Sequence, residues 1–168
     1  MTHRPSRRAF LEARLAPDDK VRPPGATQDN FRDICTRCGD CAPVCPQSII
    51  VSDDRGYPVL NLRKGGCTFC GACAEACPTE ALDVTQLQVW PWRANIADTC
   101  FSRQAVTCRS CQDNCEAGAI SFRLQLGGRA EPQIDDFNCT GCGDCVSICP
   151  AAAISLTQIT DAAREATS

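Results

Sequence analysis

Sixteen cysteines stand in a chain of 168 residues, and their order constrains what the chain can fold into more than any other feature. They fall into four groups: Cys35, Cys38, Cys41 and Cys45; Cys67, Cys70, Cys73 and Cys77; Cys100, Cys108, Cys111 and Cys115; Cys139, Cys142, Cys145 and Cys149. Three groups share the spacing C-x2-C-x2-C-x3-C-P. The remaining one keeps its last step but stretches its first from two intervening residues to seven, and it carries Arg109 and Glu116 where the others have glycine and proline. In the regular groups the glycine after the second cysteine (Gly39, Gly71, Gly143) permits positive φ, so backbone amides can approach an anion with no Cβ in the way. Proline after the last cysteine (Pro46, Pro78, Pro150) fixes the direction in which the chain leaves. A short helix is expected to begin at the fourth cysteine.

Three chemistries use such thiols. An even count in a short chain suits a secreted disulfide framework, but that requires export. Ser6-Arg7-Arg8-Ala9-Phe10-Leu11 looks like the start of a twin-arginine signal, yet Glu12, Arg14, Pro17, Asp18 and Asp19 interrupt the apolar run of about 7–15 residues that a signal needs. Cytoplasmic residence is the expectation. Zinc ribbons use two separated C-x2-C pairs around a closed tetrahedral site, and three successive C-x2-C-x2-C runs overcrowd that scheme. The regular groups match the run that ligates [4Fe–4S] clusters in bacterial ferredoxins, where the fourth cysteine serves the other cluster of a pair.

The chain thus resembles the bacterial 2[4Fe–4S] ferredoxin superfamily over residues 35–150. That resemblance implies an α+β fold of two tandem bacterial-ferredoxin-like, βαββαβ-type dicluster lobes behind a flexible N-terminal arm. Carried onto this sequence with consecutive groups paired, the shared-ligand rule gives Cys35, Cys38, Cys41 and Cys77 for a first cluster and Cys67, Cys70, Cys73 and Cys45 for a second. It gives Cys100, Cys108, Cys111 and Cys149 for a third and Cys139, Cys142, Cys145 and Cys115 for a fourth. Nested pairing, of group one with four and two with three, stays open at this point. Four clusters are expected, or three if the stretched group holds none. Its loop is expected either to be a plain insertion that still ligates normally, or to be looser and more exposed than the others, with altered hydrogen bonding to sulfur and a different reduction potential.

The joining segments favour consecutive pairing. Groups one and two are linked by SIIVSDDRGYPVLNL, and groups three and four by AISFRLQLGGRAEPQI; each has two apolar runs around a turn signal and reads as a β-hairpin. Further short strand-like runs follow groups two and four, ALDV at 81–84 and AAAISL at 151–156. Between groups two and three, TQLQVWPWRANIADT shows no such turn. The expected division is an arm over 1–30, a first lobe over 31–86, a connector over 87–98, a second lobe over 99–157 and a tail over 158–168. Trp90 and Trp92, in the connector, are expected to pack the lobes together.

Composition and charge narrow the function. Without its cysteines roughly a third of the chain is apolar, below the usual ~45–50%. Folding is therefore expected to depend on bound metal. Residues 1–24 carry six basic and three acidic side chains, against eleven basic and seventeen acidic in the remainder. Sixteen thiolates around four oxidised cores of about +2 each add about −8, so the body is acidic. No basic stripe remains for nucleic acid, and a basic surface on a protein partner is the better match. No apolar stretch approaches the ~18 residues of a membrane span. The single histidine, His3, lies in the arm, and Asp40 and Asp144 read as solvated loop carboxylates, so no catalytic residue is assigned.

Arg7, Arg8, Phe10 and Leu11, together with the four groups and the absence of any catalytic cofactor motif, give a narrower resemblance, to the NapF family of ferredoxin-type proteins. That resemblance implies a non-enzymatic accessory protein. Such a protein meets the precursor of NapA, the molybdenum-containing catalytic subunit of periplasmic nitrate reductase, in the cytoplasm and assists its iron–sulfur maturation before export. The alternative is an electron-transfer polyferredoxin subunit of an oxidoreductase complex.

If metal holds up so thin a core, anaerobic treatment with an iron chelator should abolish most of the far-ultraviolet circular dichroism as the visible absorption bleaches. Retention of the folded signal in colourless protein would contradict that dependence.

Overall fold

The computed structural model describes residues 20–27, 30–88 and 90–159. The first lobe contains helix α1 (Phe31–Ile34), strands β1 (Ile50–Ser52) and β2 (Pro58–Leu60), helix α2 (Ala72–Glu75) and a 3-10 turn, Val84–Gln86. The second contains β3 (Trp92–Ile96), a 3-10 turn at Phe101–Gln104, α3 (Ser110–Asp113), β4 (Ile120–Leu124), β5 (Ala130–Ile134), α4 (Asp144–Ile148) and β6 (Ile154–Gln158).

Both hairpins form where the turn signals stand. β1 pairs antiparallel with β2, Val51 opposite Val59. The turn between them is held by the Asp53 carboxylate, which accepts from the amides of Arg55 and Tyr57 at 2.9 Å each, while Gly56 takes φ of 84°. β4 pairs antiparallel with β5, Phe122 opposite Pro132, around Gly127 and Gly128, both at φ 76°. Pro132 can sit in a two-stranded ribbon because each strand has a free edge that needs no donor.

Two expected boundaries need correction. The connector is not a bare link: Trp92–Ile96 forms β3, which pairs antiparallel with β6 from Trp92↔Gln158 to Ile96↔Ile154. Trp92, Ala94 and Ile96 are buried and alternate with Arg93 and Asn95, the period-two pattern of a strand with one buried face. The arm expected over 1–30 also included residues that belong to the first lobe. Residues 20–27 lie on the first lobe, where the carbonyl of Val21 accepts from the Leu60 amide at 2.8 Å and that of Gly25 from the Asp83 amide at 2.8 Å. Ala26 forms an antiparallel bridge with Leu82, in place of a strand over 81–84. Gly25, at φ 86°, comes so close to Asp83 that an added Cβ would lie 2.6 Å from its carbonyl oxygen. Residues 1–19, with the twin-arginine-like stretch, and 160–168 lie outside the described residues.

Each lobe has its own small core. The first gathers Phe31, Ile49, Ile50, Leu60, Leu62, Ala81 and Leu82 around Cys41 and Cys73. The second gathers Ala94, Ile96, Ala119, Ile120, Ala153 and Ile154 around Cys100, Cys111, Cys139 and Cys145. Val146 and Leu156 pack against both. Trp90 joins the lobes as well: its indole N–H donates to the Gly141 carbonyl at 3.1 Å, and its ring meets Phe69 edge-on at 5.5 Å.

A buried ion pair secures residues 20–27. Arg22 donates to Asp53 at 3.1 Å and to the Pro58 carbonyl at 3.0 Å, and its guanidinium lies 5.4 Å from the Phe31 ring and 5.6 Å from the Tyr57 ring. The Asp53 side chain is only 4% exposed. Burial alone would raise its pKa, but the amides of Tyr57 and Arg55 and the cations of Lys20 and Arg22 outweigh it and hold the carboxyl down at about 2. A depressed carboxylate contributes stability that is complete above its unfolded pKa of about 3.9 and is lost as pH falls through the folded value. Asp53→Asn should therefore destabilise the first lobe by roughly 3 kcal/mol, because it removes a buried carboxylate charge that faces the buried Arg22 guanidinium. The gap, measured as the guanidinium midpoint of visible bleaching, should stay level between pH 5 and 8.

Candidate iron–sulfur centres

Four cavities stand at the four expected quartets. One is lined by Cys35, Cys38, Cys41 and Cys77, and another by Cys45, Cys67, Cys70 and Cys73. In the second lobe one is lined by Cys100, Cys108, Cys111 and Cys149, and the other, of about 560 Å³, by Cys115, Cys139, Cys142 and Cys145 and by residues of the first lobe that include Cys67. The fold brings group one to group two and group three to group four, so the nested arrangement does not occur. Among the described residues no three cysteine, histidine, aspartate or glutamate side chains converge closely enough for a single metal ion. The thiols instead ring spaces from several sides, as a polynuclear core requires.

The local backbone explains how four thiols reach each space. Gly39, Gly71 and Gly143 take φ of 86°, 81° and 87°, as the spacing predicts. At Gly71 and Gly143 the left-handed residue is also the N-cap of α2 and of α4. The helices therefore begin earlier than expected: each carries the third cysteine, Cys73 or Cys145, and stops before the fourth. Cys149, at φ −72° and ψ 109°, is already extended. In group four a single turn followed by extended chain sends the third and fourth thiols to different cavities.

The third cysteines are the most alike. Cys41, Cys73, Cys111 and Cys145 are 7%, 8%, 8% and 9% exposed. Burial pushes the Cys41 and Cys111 thiols up to about 11 and those of Cys73 and Cys145 up to about 12, with neighbouring thiolates pushing the same way. Such thiols keep their protons at neutral pH, so loading metal must expel protons, and acid opposes it. Cys77 is the exception: burial raises it, but the Thr79 hydroxyl and the amides of Thr79, Leu82 and Ala81 bring it below its ordinary value.

The stretched group is not the looser, more exposed loop of the second expectation. Cys108 is half-buried, whereas Cys38 and Cys70, the corresponding second cysteines of groups one and two, are exposed, and Cys100 is buried. Its insert is pinned rather than loose. Residues Phe101–Gln104 coil into a 3-10 turn, the buried Ser102 hydroxyl donates to the Cys108 carbonyl, and Arg103 donates to the Ile96 carbonyl, Asp98 and Glu131 at 2.9, 2.9 and 2.6 Å. Arg109, in place of the glycine, has φ −136°, and its guanidinium lies 5.8 Å from the Phe122 ring. Glu116, in place of proline, leaves the bonding at Cys115 unaltered: the Ala119 amide donates to that sulfur at 3.4 Å, as the Ala153 amide does to Cys149 at 3.3 Å. The insert adds anchoring contacts that the two-residue step has no room for.

Family models for a 4Fe-4S dicluster domain match residues 34–82 and again 106–153. Over 140 residues the chain is 43% identical to the ferredoxin-type protein NapF of Haemophilus influenzae, an alignment that spans 83% of this chain and 80% of that protein. The chain belongs to the NapF family of ferredoxin-type proteins. It is 39% identical to Escherichia coli NapF over 152 residues, 89% of this chain and 93% of the relative. A ferredoxin-type NapG from Escherichia coli is 30% identical over 152 residues, 77% of this chain and 66% of that protein. Two tandem dicluster domains and sixteen cysteines fit up to four [4Fe–4S] clusters. When bound, such clusters supply reversible one-electron redox chemistry.

Several residues that shape the sites left no mark in the sequence. Thr79, Ser102 and Arg103 follow no spacing rule, and Asp144, expected as a solvated carboxylate, accepts from the Gly66 amide at 2.9 Å across the lobes. Arg103→Ala should free the insert and speed release of about a quarter of the iron to a chelator by roughly tenfold, in line with the loss of a supporting contact around a metal ligand. Uniform release kinetics in the variant would show that the insert does not hold its site.

Proposed function

We propose that this chain is a cytoplasmic iron–sulfur accessory protein, not itself an enzyme, that assists iron–sulfur assembly of the nitrate reductase catalytic subunit NapA before export. All sixteen cysteines serve as ligands in the consecutive quartets, the third and fourth clusters sharing the second lobe. The observation that carries this reading is the kinship with NapF proteins over most of the chain. The acidic balance of residues 25–168 suits a basic docking surface on a protein partner. Among the described residues no helix is long and apolar enough to cross a membrane.

A second reading, as an electron-transfer subunit, is favoured by one specific feature: cysteines of the two lobes meet, the Cys67 amide donating to the Cys142 carbonyl at 2.8 Å. A shuttle needs its centres close together, whereas an assembly factor does not.

Tagged chain isolated without oxygen should retain NapA precursor that still carries its signal, and cells lacking the chain should make NapA short of its own cluster. NapA with full cluster content in those cells would contradict the assembly role. Rapid reduction of the chain by a cellular one-electron donor in the same cells would then favour the shuttle.

A further inference from the structure

The two hairpins start alike, each from a buried isoleucine, and end differently. In the first lobe each strand has three residues, and the carboxylates at the turn, Asp53 and Asp54, are paired with Lys20 and Arg22. In the second each strand has five, so the ribbon runs further from the core before it turns. Residues directly opposite one another on antiparallel strands share a face, here Ile120 with Ile134, Phe122 with Pro132 and Leu124 with Ala130. Burial is lost step by step along that face. Ile120 is buried, Phe122 is half-buried, Leu124 is 75% exposed, and Leu126, in the turn, is 97% exposed. An apolar face that begins in the core therefore ends in solvent. Among the described residues only Phe137 is a comparably exposed large apolar side chain, and it lies beyond the other end of β5.

The charge at this tip is also set apart. Residues 121–130 contain Arg123 and Arg129 and no carboxylate, and both arginines are exposed. Glu131, opposite Arg123 across the ribbon, is engaged by Arg103 instead. Among the described residues neither Arg123 nor Arg129 has an ion-pair partner. Arg109, over the Phe122 ring, adds a third cation on the same ribbon. The body has the opposite sign, with eleven basic and seventeen acidic side chains over residues 25–168.

Two leucines and two arginines on one turn are too little for a stable protein interface, which buries on the order of 1,000 Å² or more. They match the boundary of a bilayer, where a small apolar wedge enters the acyl region and cations meet lipid phosphates. We propose that the tip of the β4–β5 hairpin is a peripheral anchor for an anionic membrane surface, with Leu124 and Leu126 inserted and Arg123 and Arg129 on the headgroups. Repulsion between those headgroups and the acidic body orients the molecule tip-first and leaves both lobes free for a protein partner. The contact is weak and reversible, because so few side chains take part. It goes beyond the assembly reading and does not depend on it.

Flotation of the chain, purified without oxygen, with vesicles of equimolar phosphatidylglycerol and phosphatidylcholine tests this. The chain should bind at low ionic strength, come off at about 1 M salt, where screening acts within about 3 Å, and ignore vesicles of phosphatidylcholine alone. Leu124→Ser/Leu126→Ser and Arg123→Gln/Arg129→Gln, which touch no thiol, should each weaken binding roughly tenfold with iron content unchanged. Hydrogen exchange of the wild type on the same vesicles needs no variant: the amides of residues 121–131 should slow and the rest should not. Absence of binding, equal binding to neutral vesicles, or protection elsewhere would overturn the proposal. So would binding that both tip variants leave unaltered, the result expected if the basic residues 1–24 held the lipid. Tip variants that keep vesicle binding but no longer retain NapA precursor would assign the tip to a protein partner and overturn its assignment to lipid.

Discussion

The structure turns on a conflict inside its own cores. Six thiols, Cys41, Cys73, Cys100, Cys111, Cys139 and Cys145, are buried among few apolar side chains, and four of them are pushed up to about 11 or 12 by that burial. A buried thiol is a tolerable small hydrophobe. A buried thiolate without a counter-charge is not. A cationic iron–sulfide core would resolve the conflict, since it replaces the proton and joins two cysteine groups through four thiolates at once. Binding and folding would then be one process, the dependence that chelation of the iron tests.

The lobe architecture follows from that exchange. Each fourth cysteine lines the neighbouring group's cavity, in groups two to four just past a one-turn helix and in group one past a turn, so neither half of a lobe is complete alone. The hairpins β1–β2 and β4–β5 set the separation of the two halves. In the second lobe the outer pair β3–β6 closes the arrangement, whereas in the first the same place is taken by the single Ala26–Leu82 bridge. The Arg22–Asp53 pair and the backbone bonds of residues 20–27 give the first lobe the closure that a longer ladder gives the second.

Much of this was legible in the sequence, because cysteine spacing and turn residues are local. Whereas the pairing of the groups came from the family resemblance with a nested alternative open, the four cysteine groups, both hairpins and the left-handed glycines could be read directly. The pairing of β3 with β6 could not, since its partners are some sixty residues apart with no turn between them, although the alternation of Trp92, Ala94 and Ile96 was available as a strand signal. Residues 20–27 were misread for the opposite reason. Pro23, Pro24 and Gly25 resemble a linker in composition, yet Pro23 is among the most completely buried side chains in the protein. The stretched third group shows a limit of motif reasoning as well: a longer loop is looser only if nothing anchors it, and Arg103 and Ser102 do.

Iron and acid-labile sulfide per chain, measured on protein purified without oxygen, test the central claim most directly. Four filled cubane sites require about sixteen of each. Zinc bound at the thiols, or cysteines joined in disulfides with no inorganic sulfide present, would contradict it.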